Sequence, residues 1–114
     1  MDKQLKNKIN PDVQYKVLSV LHQNPSLSQR ELAKKLKISL GGINYCIKSL
    51  VDVGHIKITN FNNNPNKSNY LYLLTPQGVL QKSSLTAEFL KRKLIEYNEL
   101  KKEIESIQSE MMGQ

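Results

Sequence analysis

Residues 28–56 constrain this chain more than any other part of it. Ser28 and Glu31 stand three residues apart, just where Leu32, Ala33 and Leu36 begin an apolar stripe, and that is the spacing of a capping box on an amphipathic helix. Lys37-Ile38 breaks the pattern as a turn, Ser39 caps a further helix, and Ile43, Ile47, Leu50 and Val51 supply its inner stripe. Gly54 fits the left-handed position that terminates helices. A helix, a tight turn, a second helix and a glycine stop are the plan of a helix-turn-helix that reads duplex DNA.

The flanking segments agree with that plan. Asn10-Pro11-Asp12 is a helix start, with Asn10 as the cap and Pro11 at the first helical position. Val13, Val17, Leu18, Val20 and Leu21 follow at helical spacing, and Asn24-Pro25 ends the run. Leu27 is expected to pair briefly as a strand. Two strands are expected at 56–60 and 70–74, joined by the polar, Asn-rich loop 61–69. A hairpin directly after the third helix is a wing. Thr75-Pro76 repeats the cap-and-proline signal, and residues 85–112 contain no proline or glycine. Within them Leu90, Tyr97, Ile104 and Met111 fall seven apart, with Leu100 and Ile107 three residues after two of them. This is an a/d heptad seam, which implies an intermolecular coiled coil; the alternative is an amphipathic helix packed on its own domain.

Length and charge narrow the function. At 114 residues there is room for one core, and no apolar run reaches the roughly 18 to 20 residues of a membrane span. The start carries no apolar secretory segment, so a cytoplasmic protein without membrane contact is expected. The net charge of +7 is unevenly placed: residues 1–84 hold twelve Lys or Arg against four acids, residues 85–114 five against six. A basic module favours a polyanion, because each cation that neutralises a phosphate releases condensed counterions. Cys46, His22 and His55 are not in metal-ligand spacing, and no nucleophile-base set, paired carboxylates or phosphate loop is present. No enzyme activity, metal or cofactor is expected. Cys46, three residues from Ile43, reads as core and not as a redox sensor, His22 and His55 as surface or helix-end residues.

With the helix-turn-helix, the hairpin and Leu74-Thr-Pro-Gln-Gly78 in place, the chain resembles winged-helix transcription regulators of the MarR type. Leu27-Ser-Gln-Arg-Glu-Leu-Ala33, Ile38-Ser-Leu-Gly41, Asn44-Tyr-Cys46 and Phe89-Leu-Lys-Arg-Lys93 resemble, more narrowly, the small MarR-like regulators associated with bacterial exopolysaccharide gene clusters. The similarity runs over about residues 13–107. The resemblance implies double-stranded DNA as a partner, homodimerisation and transcriptional control. Larger MarR proteins dimerise through helices at both ends and often hold an effector there; with an arm of only about ten residues before Pro11, a built-in effector pocket is not expected.

On the third helix the inner stripe leaves Leu40, Gly41, Asn44, Tyr45 and Lys48 facing outward, the face expected in the major groove. Asparagine can pair bidentately with adenine, tyrosine and lysine reach phosphates or base edges, and Leu40 suits a thymine methyl. The alternative is a solvated face. Gly41 and Gly42 either admit a phosphate to the helix N-terminus, with Ser39 adding a hydroxyl, or let two helices pack closely. Arg30, Lys34 and Lys35 on the second helix are candidate phosphate contacts or ordinary surface charge. In the wing, Lys67 and its neighbouring asparagines either approach the DNA or form a solvated loop.

These readings give a mainly α chain with a small β-hairpin: a basic arm at 1–10, a winged helix-turn-helix at 11–83, and a coiled-coil dimerisation helix at 84–114 with Leu90, Tyr97, Leu100, Ile104, Ile107 and Met111 as its seam. The expected function is sequence-specific duplex binding by a dimeric transcriptional regulator. The alternative is a winged-helix adaptor that binds protein and not specific DNA.

Overall fold

Each helix begins where a side chain accepts the otherwise orphaned amides of its first turn. In the computed structural model, which describes residues 9–60 and 70–113, Asn10 Oδ1 accepts from the Asp12 amide at 2.7 Å and opens α1 (Pro11–Gln23). Ser28 and Glu31 form the full capping box of α2 (Gln29–Leu36), with the Glu31 amide donating to Ser28 Oγ at 3.0 Å and the Ser28 amide to Glu31 Oε1 at 2.9 Å. Ser39 Oγ accepts from the Gly42 amide at 3.0 Å and opens α3 (Leu40–Asp52). Between α2 and α3, Lys37 takes the left-handed conformation (φ 59°) that a two-residue reversal needs. Strands β1 (Ile56–Asn60) and β2 (Tyr70–Leu74) pair antiparallel, with Ile56 opposite Leu74 and Ile58 opposite Tyr72. Thr75 caps α4 (Pro76–Met112), a single helix of 37 residues.

The expected strand at Leu27 does not form. Among the described residues the sheet has two strands, and what reaches this segment is one bond, from the Tyr72 amide to the Pro25 carbonyl at 3.0 Å. Pro25 has no amide to return, and the Leu27 amide turns back to the Asn24 carbonyl at 3.5 Å, so no ladder can start in the few residues before the Ser28 cap.

The core lies where α1, α2, α3, the hairpin and the first turns of α4 meet. Val17, Leu18 and Leu21 of α1, Leu32 of α2, Ile43, Cys46, Ile47 and Leu50 of α3, Ile56, Tyr72 and Leu85 are all buried. Each such aliphatic side chain contributes roughly 1.5–3 kcal/mol by leaving water. Val13, Val20, Ala33, Leu36 and Val51 pack against that core half-buried.

Two junctions fix α4 to the body. At its start, Gly54 (φ 82°) lets the chain turn from α3 into β1; the Thr75 hydroxyl donates to the Gly54 carbonyl, and the Thr75 amide donates to the His55 carbonyl at 3.1 Å. Gly78 lies so close that a Cβ there would stand 2.1 Å from the His55 carbonyl oxygen. Farther along, Phe89 stacks on Tyr15 of α1 at 4.6 Å between ring centroids, Lys93 covers the Phe89 ring at 5.2 Å, and Arg92 pairs with Asp12. Lys82 Nζ also meets His22 Nδ1 at 3.0 Å.

From Lys93 onward every described residue of α4 is exposed. Leu90 is 56 % exposed, Tyr97 60 %, Leu100 53 %, Ile104 46 %, Ile107 54 % and Met111 79 %. The stripe therefore does not pack on its own domain. Leu94 and Ile95, outside the heptad reading, are exposed beside it.

Candidate nucleic-acid interface

The outer face of α3 forms because its inner face is fully used. Ile43, Cys46, Ile47 and Leu50 point into the core, so Leu40, Gly41, Asn44, Tyr45 and Lys48 are left exposed. Leu40, Gly41 and Asn44 line a groove of about 580 Å³ together with Arg30, Gln29 and Ser28 at the start of α2, Ser26 before it, and Tyr70 and Tyr72 of the hairpin. Three segments distant in sequence thus converge on one concave surface at the N-terminal end of α3. Tyr45 and Lys48 are exposed on the same helix outside the groove lining, as are Lys34 and Lys35 on the last turn of α2.

The two glycines differ. A Cβ at Gly41 would have nothing within 4 Å, so that position faces open space. A Cβ at Gly42 would stand 3.1 Å from both Ile38 Cγ2 and Ser39 Oγ, so a side chain there would press on the turn and those two side chains would have to give by a few tenths of an ångström. Ser39 uses its oxygen on the Gly42 amide and keeps its hydroxyl hydrogen for an outside acceptor. Lys67 and the wing asparagines at 62, 63, 64 and 66 lie outside the described residues.

Polar side chains tie the groove together. Asn44 Nδ2 donates to Gln29 Oε1 at 3.2 Å, and Gln29 Nε2 donates to the Tyr72 hydroxyl at 3.3 Å. Gln29, Tyr70 and Tyr72 do not figure among the sequence-derived candidates. The tyrosines carried a signal, since alternate residues of a strand share a face. Gln29 carried none, because its partners lie 15 and 43 residues away.

Cys46 is 1 % exposed, and burial pushes its thiol up to about 11, so almost none is thiolate near neutrality and it is core. His55 is half-buried at the junction with α4, its Nδ1 without a hydrogen-bond partner, and burial lowers its pKa below the usual 6.5. His22 is exposed near the end of α1. Among the described residues no three His, Cys, Asp or Glu side chains gather as a metal site, and no helix is long and apolar enough to cross a membrane.

Residues 12–57 match the family model for winged helix-turn-helix DNA-binding domains. No curated protein matches the chain, but solved structures do. The adhesin competence repressor AdcR of Streptococcus pyogenes is 26 % identical with a TM-score of 0.65, over 92 % of this chain and 77 % of that one. The fold is a winged helix-turn-helix with a long C-terminal helix, and regulators of the MarR family share it. The PcaV transcriptional regulator of Streptomyces coelicolor superposes with a TM-score of 0.63 at 19 % identity, covering 89 % of this chain and 79 % of that one. A MarR/EmrR family regulator of Acinetobacter sp. ADP1 does so at 0.62 and 15 % identity, covering 90 % and 76 %. Within the MarR-like frame α2 and α3 are the helix-turn-helix, the hairpin is the wing, and α4 is the long C-terminal helix.

Proposed function

We propose that this protein is a sequence-specific, double-stranded-DNA-binding transcriptional regulator that works as a homodimer in the cytoplasm. The observation that carries the reading is the groove where the exposed start of α3, the start of α2 and the wing strands converge, on a region with twelve cations against four acids. In the reading, Leu40, Asn44 and Tyr45 meet base edges, while Arg30, Lys34, Lys35, Lys48 and the Ser39-Gly41 turn meet phosphates. Lys67 extends the phosphate contacts from the wing.

Dimerisation through the exposed seam of α4 joins two such domains, so the operator has two half-sites about one helical turn of DNA, or a multiple, apart. That the structural neighbours include a transcriptional regulator and a repressor supports the regulatory role. The resemblance of Leu27–Ala33, Asn44–Cys46 and Phe89–Lys93 to the small exopolysaccharide-associated regulators extends it to exopolysaccharide genes.

Selection of bound sites from a random duplex pool with the purified protein, followed by salt titration on the best site, tests the proposal. With six phosphate contacts, log affinity should fall with log salt at a slope of roughly −5. A slope near zero, or failure to enrich any sequence, would favour the protein-binding adaptor instead.

A further inference from the structure

The reading helix presents Asn44 from an exposed surface, where a carboxamide on a short stem ordinarily samples several rotamers and both flips. Here it does not stand alone. Its Nδ2 is held by Gln29 Oε1 at 3.2 Å, and Gln29 is in turn held through Nε2 by the Tyr72 hydroxyl at 3.3 Å. Tyr72 is itself held: the residue is 7 % exposed and belongs to the core, and its amide is bonded to the Pro25 carbonyl at 3.0 Å. The chain of bonds therefore runs from a buried anchor on the wing, across the first residue of α2, to the outward face of α3.

We propose that Gln29 is a positioning residue that sets the orientation of the Asn44 carboxamide and thereby the base that α3 prefers, resting on the reading of α3 as the DNA-reading helix. A carboxamide nitrogen carries two hydrogens, so the bond to Gln29 leaves one hydrogen and Oδ1 free. That remaining donor and acceptor pair is what a bidentate contact with adenine N7 and N6 requires. Holding the amide in place before DNA arrives also removes ordering entropy that binding would otherwise lose. Gln29 is suited to the task because it both accepts and donates: its oxygen meets Asn44 and its nitrogen meets Tyr72. A hydrocarbon or a lysine at the same place breaks the relay.

The test uses the full-length protein and the duplex best enriched from the random pool, with each single-base-pair variant of it. Gln29→Ala places a good helix former at the first position of α2, and Tyr72→Phe keeps the ring in the core, so a thermal melt of each should stay cooperative. Gln29→Ala should lower discrimination at the base pair read by Asn44 by about 3- to 10-fold, the usual worth of one hydrogen bond, and leave the other positions and the salt slope unchanged. Tyr72→Phe should shift the same base pair in the same direction by less. In an Asn44→Ala background, Gln29→Ala should have no further effect there, since the group it positions is gone.

If Gln29→Ala costs as much with Asn44 removed as with it present, Gln29 acts on DNA directly and the inference falls. It falls equally if Asn44→Ala relaxes one base pair while Gln29→Ala relaxes none. Should Asn44→Ala leave every preference intact, the assignment of α3 as reader is overturned and the inference with it; that outcome is separable because it appears in the single Asn44 variant.

Discussion

α4 is one helix in two environments. Its first half is held by the core and by α1 through Leu85, the Tyr15-Phe89 stack and the Arg92-Asp12 pair. Its second half, residues 93–112, touches nothing of its own chain that would bury it. Apolar residues occur in both, so hydrophobicity alone does not say where a helix packs. What differs is the neighbour: the first half lies where α1 and the wing have already built a surface, and the second extends past it. Helix formation has a costly nucleus, and the anchored half supplies the one from which the exposed half propagates. An apolar stripe left open on such an extension is the natural place for a second copy.

The sharpest way to break this contrast is Ile104→Asp. A carboxylate in a desolvated seam has no partner, so the proposed dimer should dissociate in sedimentation while the melt of the body stays cooperative. Operator affinity should fall about 100-fold or more as the two linked sites become independent. A variant that remains dimeric would place the interface elsewhere.

Gly78→Ala probes the anchored half. The added Cβ would sit 2.1 Å from the His55 carbonyl oxygen, so the helix must shift off the α3–β1 turn, at a cost of about 1–3 kcal/mol in thermal or urea unfolding. The same substitution at Gly41, which has open space, should stabilise the fold by up to about 1 kcal/mol through helix propensity and yet weaken DNA binding if the phosphate backbone approaches there. Equal affinity for the Gly41→Ala protein would remove that glycine from the interface.

The smallest effect is a pH dependence at the same junction. Burial lowers the His55 pKa below 6.5, so the unfolded chain takes up the proton more readily than the folded one. Stability from this group is complete above 6.5 and declines as pH falls from there toward the lower folded value. Thermal midpoints across that range should therefore fall slightly as pH is lowered, and His55→Gln should flatten the trend.

The local elements were legible because each announces itself within a few residues. Asn10-Pro11, Ser28 with Glu31, Ser39, and Thr75-Pro76 are caps whose partners lie two or three positions on, and all four form. Leu27 misleads because β propensity says nothing about Pro25 and the Asn24 turn beside it. In the groove, the face of α3 followed from helical period. The relay through Gln29 did not, since it depends on how three elements meet in space. The Phe89-Lys93 motif was recognisable as a pattern, but its physical content became visible only against α1: Phe89 stacks, Arg92 pairs, and Lys93 lies over the ring.

The burial of Cys46 has a practical consequence. It is the only cysteine in the chain, and with its thiol at about 11 and its sulfur in the core it is inert to mild oxidants and alkylating labels. Any thiol placed on the surface is then the single reactive group of the molecule. With Leu90 replaced by cysteine, two parallel helices would bring the new sulfurs together and oxidation would lock the pair covalently. In an antiparallel pair centred on Leu100, the same sulfurs would stand about 30 Å apart and stay reduced. The direction of the proposed α4 pair can thus be read on a non-reducing gel.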